Sequence, residues 1–122
     1  MKIYQQQTLR EIQVAFHERF PNLKIEFFDG AHAAGEGSPA QQMLRTNQTI
    51  KEAAVPFEAK NLSFDENQTV KNFEQKLYEK FGLNVQVFRK SGNAWLQTTS
   101  TDHWTLARQN QRSRDFTKIE IF

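Results

Sequence analysis

The chain has 122 residues, 38% of them hydrophobic, with 11 Phe and no Cys; this is enough apolar side chain for one core and argues against global disorder, while two independent halves would each be marginal. The missing Cys excludes disulfides, thiolate metal sites and cysteine nucleophiles. Net charge is +2, yet residues 1–88 carry 10 Lys and Arg against 11 Asp and Glu, and residues 89–122 carry 6 against 3, so the whole excess sits in the second half.

In chain order, Thr8 followed by Glu11 has capping-box spacing. Leu9, Ile12, Phe16 and Phe20 follow at the three-to-four spacing of one helical face. This helix ends near Pro21-Asn22 and leads into an alternating strand whose Leu23, Ile25 and Phe27 face the helix while Lys24, Glu26 and Phe28 face away. A loop from Asp29 to Gln41 holds three of the five glycines. Its length is unusual for a compact domain and suits a binding or mobile segment. Thr49-Ile50-Lys51-Glu52 predicts a short helix, and Phe57–Phe64 a strand.

The pattern then recurs. Thr69 offers an N-cap, Val70, Phe73, Leu77 and Phe81 form an apolar helical face, and Gly82 ends the helix. A strand over Leu83–Lys90, the turn Ser91-Gly92-Asn93 and a strand over Ala94–Thr98 predict a hairpin. Thr105 to Asn110 reads as a short helix and Thr117–Phe122 as a final strand.

Aligning residues 7–20 with 68–81, and 23–28 with 83–88, gives 6 identities in 20 pairs, among them Gln7/Gln68, Thr8/Thr69, Phe20/Phe81 and Phe28/Phe88. Most other pairs keep their chemical class. Such self-similarity indicates duplication. The expected fold is α+β, a single domain over 1–122 built from two helix-strand-strand-short helix-strand units, about 1–60 and 61–122, that share one core.

The capped helix at Thr69-Val70, the strand Leu83–Phe88, its hairpin, the short helix carrying Thr105-Leu106 and Asn110, and the alternating Ile119-Glu120-Ile121 resemble the β-grasp family, to which ubiquitin belongs. In that family a hairpin precedes the helix, where a single strand stands here, and the sequence closes on Ile121-Phe122 instead of a diglycine. The resemblance therefore implies architecture and not conjugation. The stretches from Phe27 to Ser38 and from Phe88 to Thr99 are similar to small bacterial proteins of unknown function, which implies no activity.

Two regions are candidate contacts. Alternation places Phe88, Lys90, Trp95, Gln97, Lys118 and Phe122 on the helix-free face of the second unit. Aromatics among bases suit a protein interface or base stacking. This face is expected either to pack on the equivalent face of the first unit or to meet a partner. The second region is the long loop, where Gly35, Gly37 and backbone N–H groups near Ser38 could receive an anion with His32 as a donor, and where His32 and Glu36 are the residue types of a metal site. No phosphate-loop motif supports it, His32 and Glu36 lack further fixed metal ligands, and His32, Ser38, Asp102 and His103 come without a nucleophile elbow. We therefore expect no catalytic residue, cofactor or metal.

No apolar run reaches the ~18 residues of a membrane span, and the start MKIYQQQTLR lacks the pattern of a signal peptide. The sequence is expected to be a non-enzymatic cytoplasmic interaction module that meets a protein partner or its own copy. The basic, aromatic second half makes nucleic-acid binding the alternative.

Overall fold

A computed structural model of the chain describes residues 1–30, Gly37, 42–53 and 59–112. The described elements are β1 (Lys2–Ile3), α1 (Leu9–Arg19), β2 (Leu23–Phe28), α2 (Ile50–Ala53), β3 (Lys60–Asn61), α3 (Val70–Phe81), β4 (Asn84–Ser91), β5 (Ala94–Gln97), a 3-10 turn (Thr99–Thr101) and α4 (106–112). The fold is α+β, with two small antiparallel sheets: a ribbon of β1 and β3, and a three-stranded sheet in the order β2-β4-β5. Among the described residues no helix is long and apolar enough to cross a membrane.

Both long helices start on a threonine. Thr8 Oγ1 accepts from Glu11 N at 3.3 Å, and Thr69 Oγ1 accepts from Asn72 N at 3.1 Å. The short helices do the same, with Thr49 Oγ1 accepting from Glu52 N at 3.3 Å and Thr105 Oγ1 from Arg108 N at 3.1 Å. These starts come in pairs. Thr8 bridges Thr49 and Thr69 bridges Thr105, so each helix donates its first N–H groups to the turn that precedes the other. Leu9 N donates to Gln48 O and Ile50 N to Gln7 O, at 3.0 and 2.9 Å. Likewise Val70 N donates to Trp104 O and Leu106 N to Gln68 O, at 2.9 and 3.0 Å. Groups that every helix leaves without an internal partner are thus satisfied reciprocally. At the far ends α1 stops at Phe20, and α3 at Gly82, whose φ of 68° is left-handed.

The strands obey the expected alternation. Leu23, Ile25 and Phe27 of β2 and Val85 and Val87 of β4 are buried under the helices, with α1 on β2 and α3 on β4. Phe16 and Phe73 bring the helices together, their ring centroids 5.1 Å apart. One apolar cluster runs from Ile3, Leu9 and Ile12 through Phe16, Ile25 and Ile50 to Phe73, Leu77, Val87 and Leu106, so it draws on both halves of the chain.

One expectation changes. The strand foreseen over Phe57–Phe64 is, in its described part, only Lys60–Asn61, with Leu62 exchanging both backbone bonds with Met1 beyond it. Phe64 leaves the ribbon and sets its ring edge-on to Phe16 at 5.8 Å, after which Asp65 Oδ1 accepts from Asn67 N and turns the chain. The strand foreseen over Thr117–Phe122 and nearly all of the loop from Asp29 to Gln41 lie outside the described residues.

Phe73 is fully buried between Phe16 and Phe64, so Phe73→Ala is expected to cost about 3–5 kcal/mol in a denaturant titration, the range for truncating a core Phe. Tyr78, on the outer side of α3 and 54% exposed, should tolerate Ala within about 0.5 kcal/mol.

Candidate functional site

The three-stranded sheet has one face under the helices and one face away from them. Lys24, Glu26 and Phe28 of β2, Gln86, Phe88 and Lys90 of β4, and Trp95 and Gln97 of β5 belong to the second face, as their cross-strand pairing requires. Strand β2 of the first half does not stack on this face but shares it. It pairs edge to edge with β4 and widens the sheet, because both strands keep their apolar side for a common helical layer.

Within this face Lys24 lies over two rings, its Nζ 5.3 Å from the centroid of Phe88 and 5.1 Å from that of Trp95, and 3.6 Å from Glu26 Oε1. The ammonium is held by ring quadrupoles and a carboxylate together. Phe88 is buried, Trp95 is half-buried and Lys90 is exposed. Phe28 and Gln86 are buried as well, and Gln86 Oε1 has no hydrogen-bond partner among the described residues. Gly37 comes against the same face: a Cβ built on it would lie 2.6 Å from Gln97 Oε1. Of the residues singled out in the sequence, the structure therefore brings together Phe88 and Trp95, with Lys90 beside Trp95 in the ladder. Phe122, Lys118, His32, Glu36 and Ser38 lie outside the described residues.

The remaining histidines have ordinary partners. His17 Nδ1–H donates to Leu23 O at 2.8 Å, which fixes the tautomer, since a carbonyl only accepts. His103 meets Trp104 edge to face at 6.4 Å. Among the described residues no group of three His, Asp or Glu is placed to hold a metal. Glu74 is buried in α3, where its Oε2 accepts from Val87 N at 2.9 Å and so occupies a backbone donor of β4.

A second cluster was not foreseen. Trp104, half-buried before α4, carries the guanidinium of Arg108 at 3.9 Å from its ring centroid and that of Arg89 at 5.9 Å. Arg89 also donates to Gln109 Oε1 at 3.3 Å. Beside the indole opens a surface cleft of about 350 Å³ lined by Trp104, Arg108, Gln111 and Arg112, none of them acidic.

A signal for this cluster is present in the sequence. The residue before the capping threonine is Gln7, Gln48 and Gln68 in three of the paired turns and Trp104 in the fourth. Each Gln closes its own turn: Gln7 Oε1 accepts from Tyr4 N, Gln48 Nε2 donates to Arg45 O, and Gln68 Nε2 donates to Ser63 O. In the fourth turn Gln109 takes over, its Nε2 donating to Thr101 O and Oγ1 at 2.9 and 2.8 Å, and the indole turns to the arginines.

Comparison of the chain with protein-family models, with curated proteins and with solved structures finds no match.

The Lys24 contact is open to a direct measurement. A double-mutant cycle of Lys24→Met and Trp95→Leu should give a coupling of about 0.5–2 kcal/mol, the range for a cation over a ring. Additive single effects would mean that Trp95 does not hold Lys24, leaving Phe88 and Glu26 to do so.

Proposed function

We propose that the chain is a non-enzymatic interaction module formed by duplication of a β-grasp-like unit, in which the first unit is scaffold and the second presents the contact surface. Several registers favour the duplication. Glu26, which aligns with Gln86, is its cross-strand partner, so the ladder between β2 and β4 is centred on equivalent residues, as in an isologous interface. Met1 and Leu62, equivalent at the offset of 61 that relates Thr8 to Thr69, exchange both hydrogen bonds at 3.0 and 2.7 Å. The paired helix starts, Thr8 with Thr49 and Thr69 with Thr105, repeat the same bonds.

The observation that carries the functional reading is what differs between two otherwise equivalent places. Where the second unit has Arg89, Trp104 and Arg108, the alignment and the paired turns put Asp29, Gln48 and Glu52 in the first. The replacement inverts charge twice and exchanges a turn-closing amide for an indole. Packing does not require it, since the first unit builds the same turn without it, and a cationic aromatic surface is a recurrent feature of binding patches.

Two experiments test these readings. Fragments 1–60 and 61–122 expressed apart should give no cooperative thermal transition, and mixing them should restore one. A cooperative transition in 61–122 alone would overturn the shared core. For the contact surface, chemical crosslinking in the native cell should trap a partner on the wild-type protein that Arg108→Glu loses while still unfolding in one cooperative transition. A partner retained equally by Arg108→Glu would move the contact elsewhere.

A further inference from the structure

We infer that the cleft at Trp104 is a site for single-stranded nucleic acid, in which a base stacks on the indole and Arg89, Arg108 and Arg112 take the phosphates. This rests on the reading of the second unit as the contact surface and names its ligand. The first argument is geometric. Trp104 is a flat ring at the surface whose neighbours are guanidinium planes, one of them 3.9 Å from its centroid. Stacking on such platforms is sequence-tolerant, because every base has a π-face.

The second argument is charge. The cleft is lined by two arginines, a glutamine and the indole, with Arg89 adjoining at 5.9 Å from the ring. Arg108 and Arg112 stand one helical turn apart in α4, about 6 Å between Cβ atoms, which is of the order of the spacing of successive phosphates along an extended strand. Gln111, on the same cleft, offers donors and an acceptor to a base edge.

An acidic protein segment would satisfy the arginines alone, whereas a nucleotide chain offers phosphates to the arginines and a base that can stack against the Trp104–Arg108 pair. Duplex is disfavoured because its stacked bases present edges and not faces. The local basic excess of residues 89–122 supplies the same attraction at longer range.

The test uses the full chain and a fluorescein-labelled oligothymidylate of about 12 nucleotides, followed by anisotropy. Saturable binding is expected, weakening about 20-fold between about 50 and 200 mM salt if three phosphates are engaged. Trp104 emission, read in a Trp95→Phe background, should be quenched on binding. Trp104→Ala should weaken binding about tenfold or more. Arg112→Glu should weaken binding at least as far as Arg112→Gln, both read below each variant's own melting temperature, so the test survives if Trp104→Ala fails to fold. Glu52→Gln in the first unit should bind as the wild type does.

No binding at about 50 mM salt, equal binding by Arg112→Glu, or displacement by polyglutamate as readily as by unlabelled oligothymidylate would each overturn the assignment. A crosslinked partner lost in Arg108→Glu, together with no oligothymidylate binding, would overturn the nucleic-acid ligand and leave the contact surface in place. Partner and oligonucleotide both indifferent to Arg108→Glu would overturn both.

Discussion

The antiparallel ladder between β2 and β4 is the constraint on which the rest of the structure depends. It joins strands that are about 60 residues apart in the chain, from Leu23 against Arg89 to Phe28 against Asn84. Each strand brings its own helix, so closing the ladder sets α1 beside α3 and closes Phe16 on Phe73. The register has little freedom. A slip of one residue would turn Ile25, Phe27, Val85 and Val87 out of the core and carry Lys24 and Glu26 into it, at several kcal/mol for the charges alone. Because the contact is so distant in sequence, its loop-closure entropy must be offset by the full apolar layer, and neither helix has a complete partner surface until the ladder forms.

The helices were legible because their signals are local. The spacing of Leu9, Ile12 and Phe16, and of Val70, Phe73 and Leu77, identifies buried faces, and Thr8 and Thr69 mark the starts with the hydrogen bonds their side chains imply. Gly92 with its φ of 58° likewise makes the hairpin readable. What the residues do not encode locally is which strand lies beside which. Alternation told which way Phe28 and Phe88 point, but it could not distinguish strands β2 and β4 stacked face to face from the same strands joined at their edges. The latter keeps α1 and α3 on one side of the sheet. The short ribbon of β1 and β3 was missed for a related reason: strand propensity over Phe57–Phe64 speaks to backbone preference, while strand length is set by the partner available, here Met1–Ile3.

The candidate site was legible only in part, and the reason lies in what alternation measures. It grouped Phe88 and Trp95 correctly on one face, and it has no means of showing that Lys24 would reach across from the other half to sit over both rings. The Trp104 cluster escaped because its members come from three kinds of segment: Arg89 from the end of a strand, Trp104 from a turn and Arg108 from a helix. No single periodicity contains them. The comparison of turns does, since it asks what each position does in its equivalents instead of which element it belongs to.

That comparison also explains how the fold can spare Trp104 for another purpose. A turn before a helix needs its backbone N–H and C=O groups satisfied, and in three turns the Gln before the threonine provides a bond within its own loop. Replacing such a Gln by an aromatic would normally leave the turn open, at a cost of about 1 kcal/mol or more. In the fourth turn Gln109, fully buried in α4, reaches back to Thr101 with two bonds and joins Arg89 through its Oε1, so the closure comes from the helix side. Gln109 thus does two jobs: it holds the turn that presents the indole, and it orients one of the guanidinium groups beside it. A side chain that structures the turn from within leaves its outer surface to be shaped by chemistry other than folding.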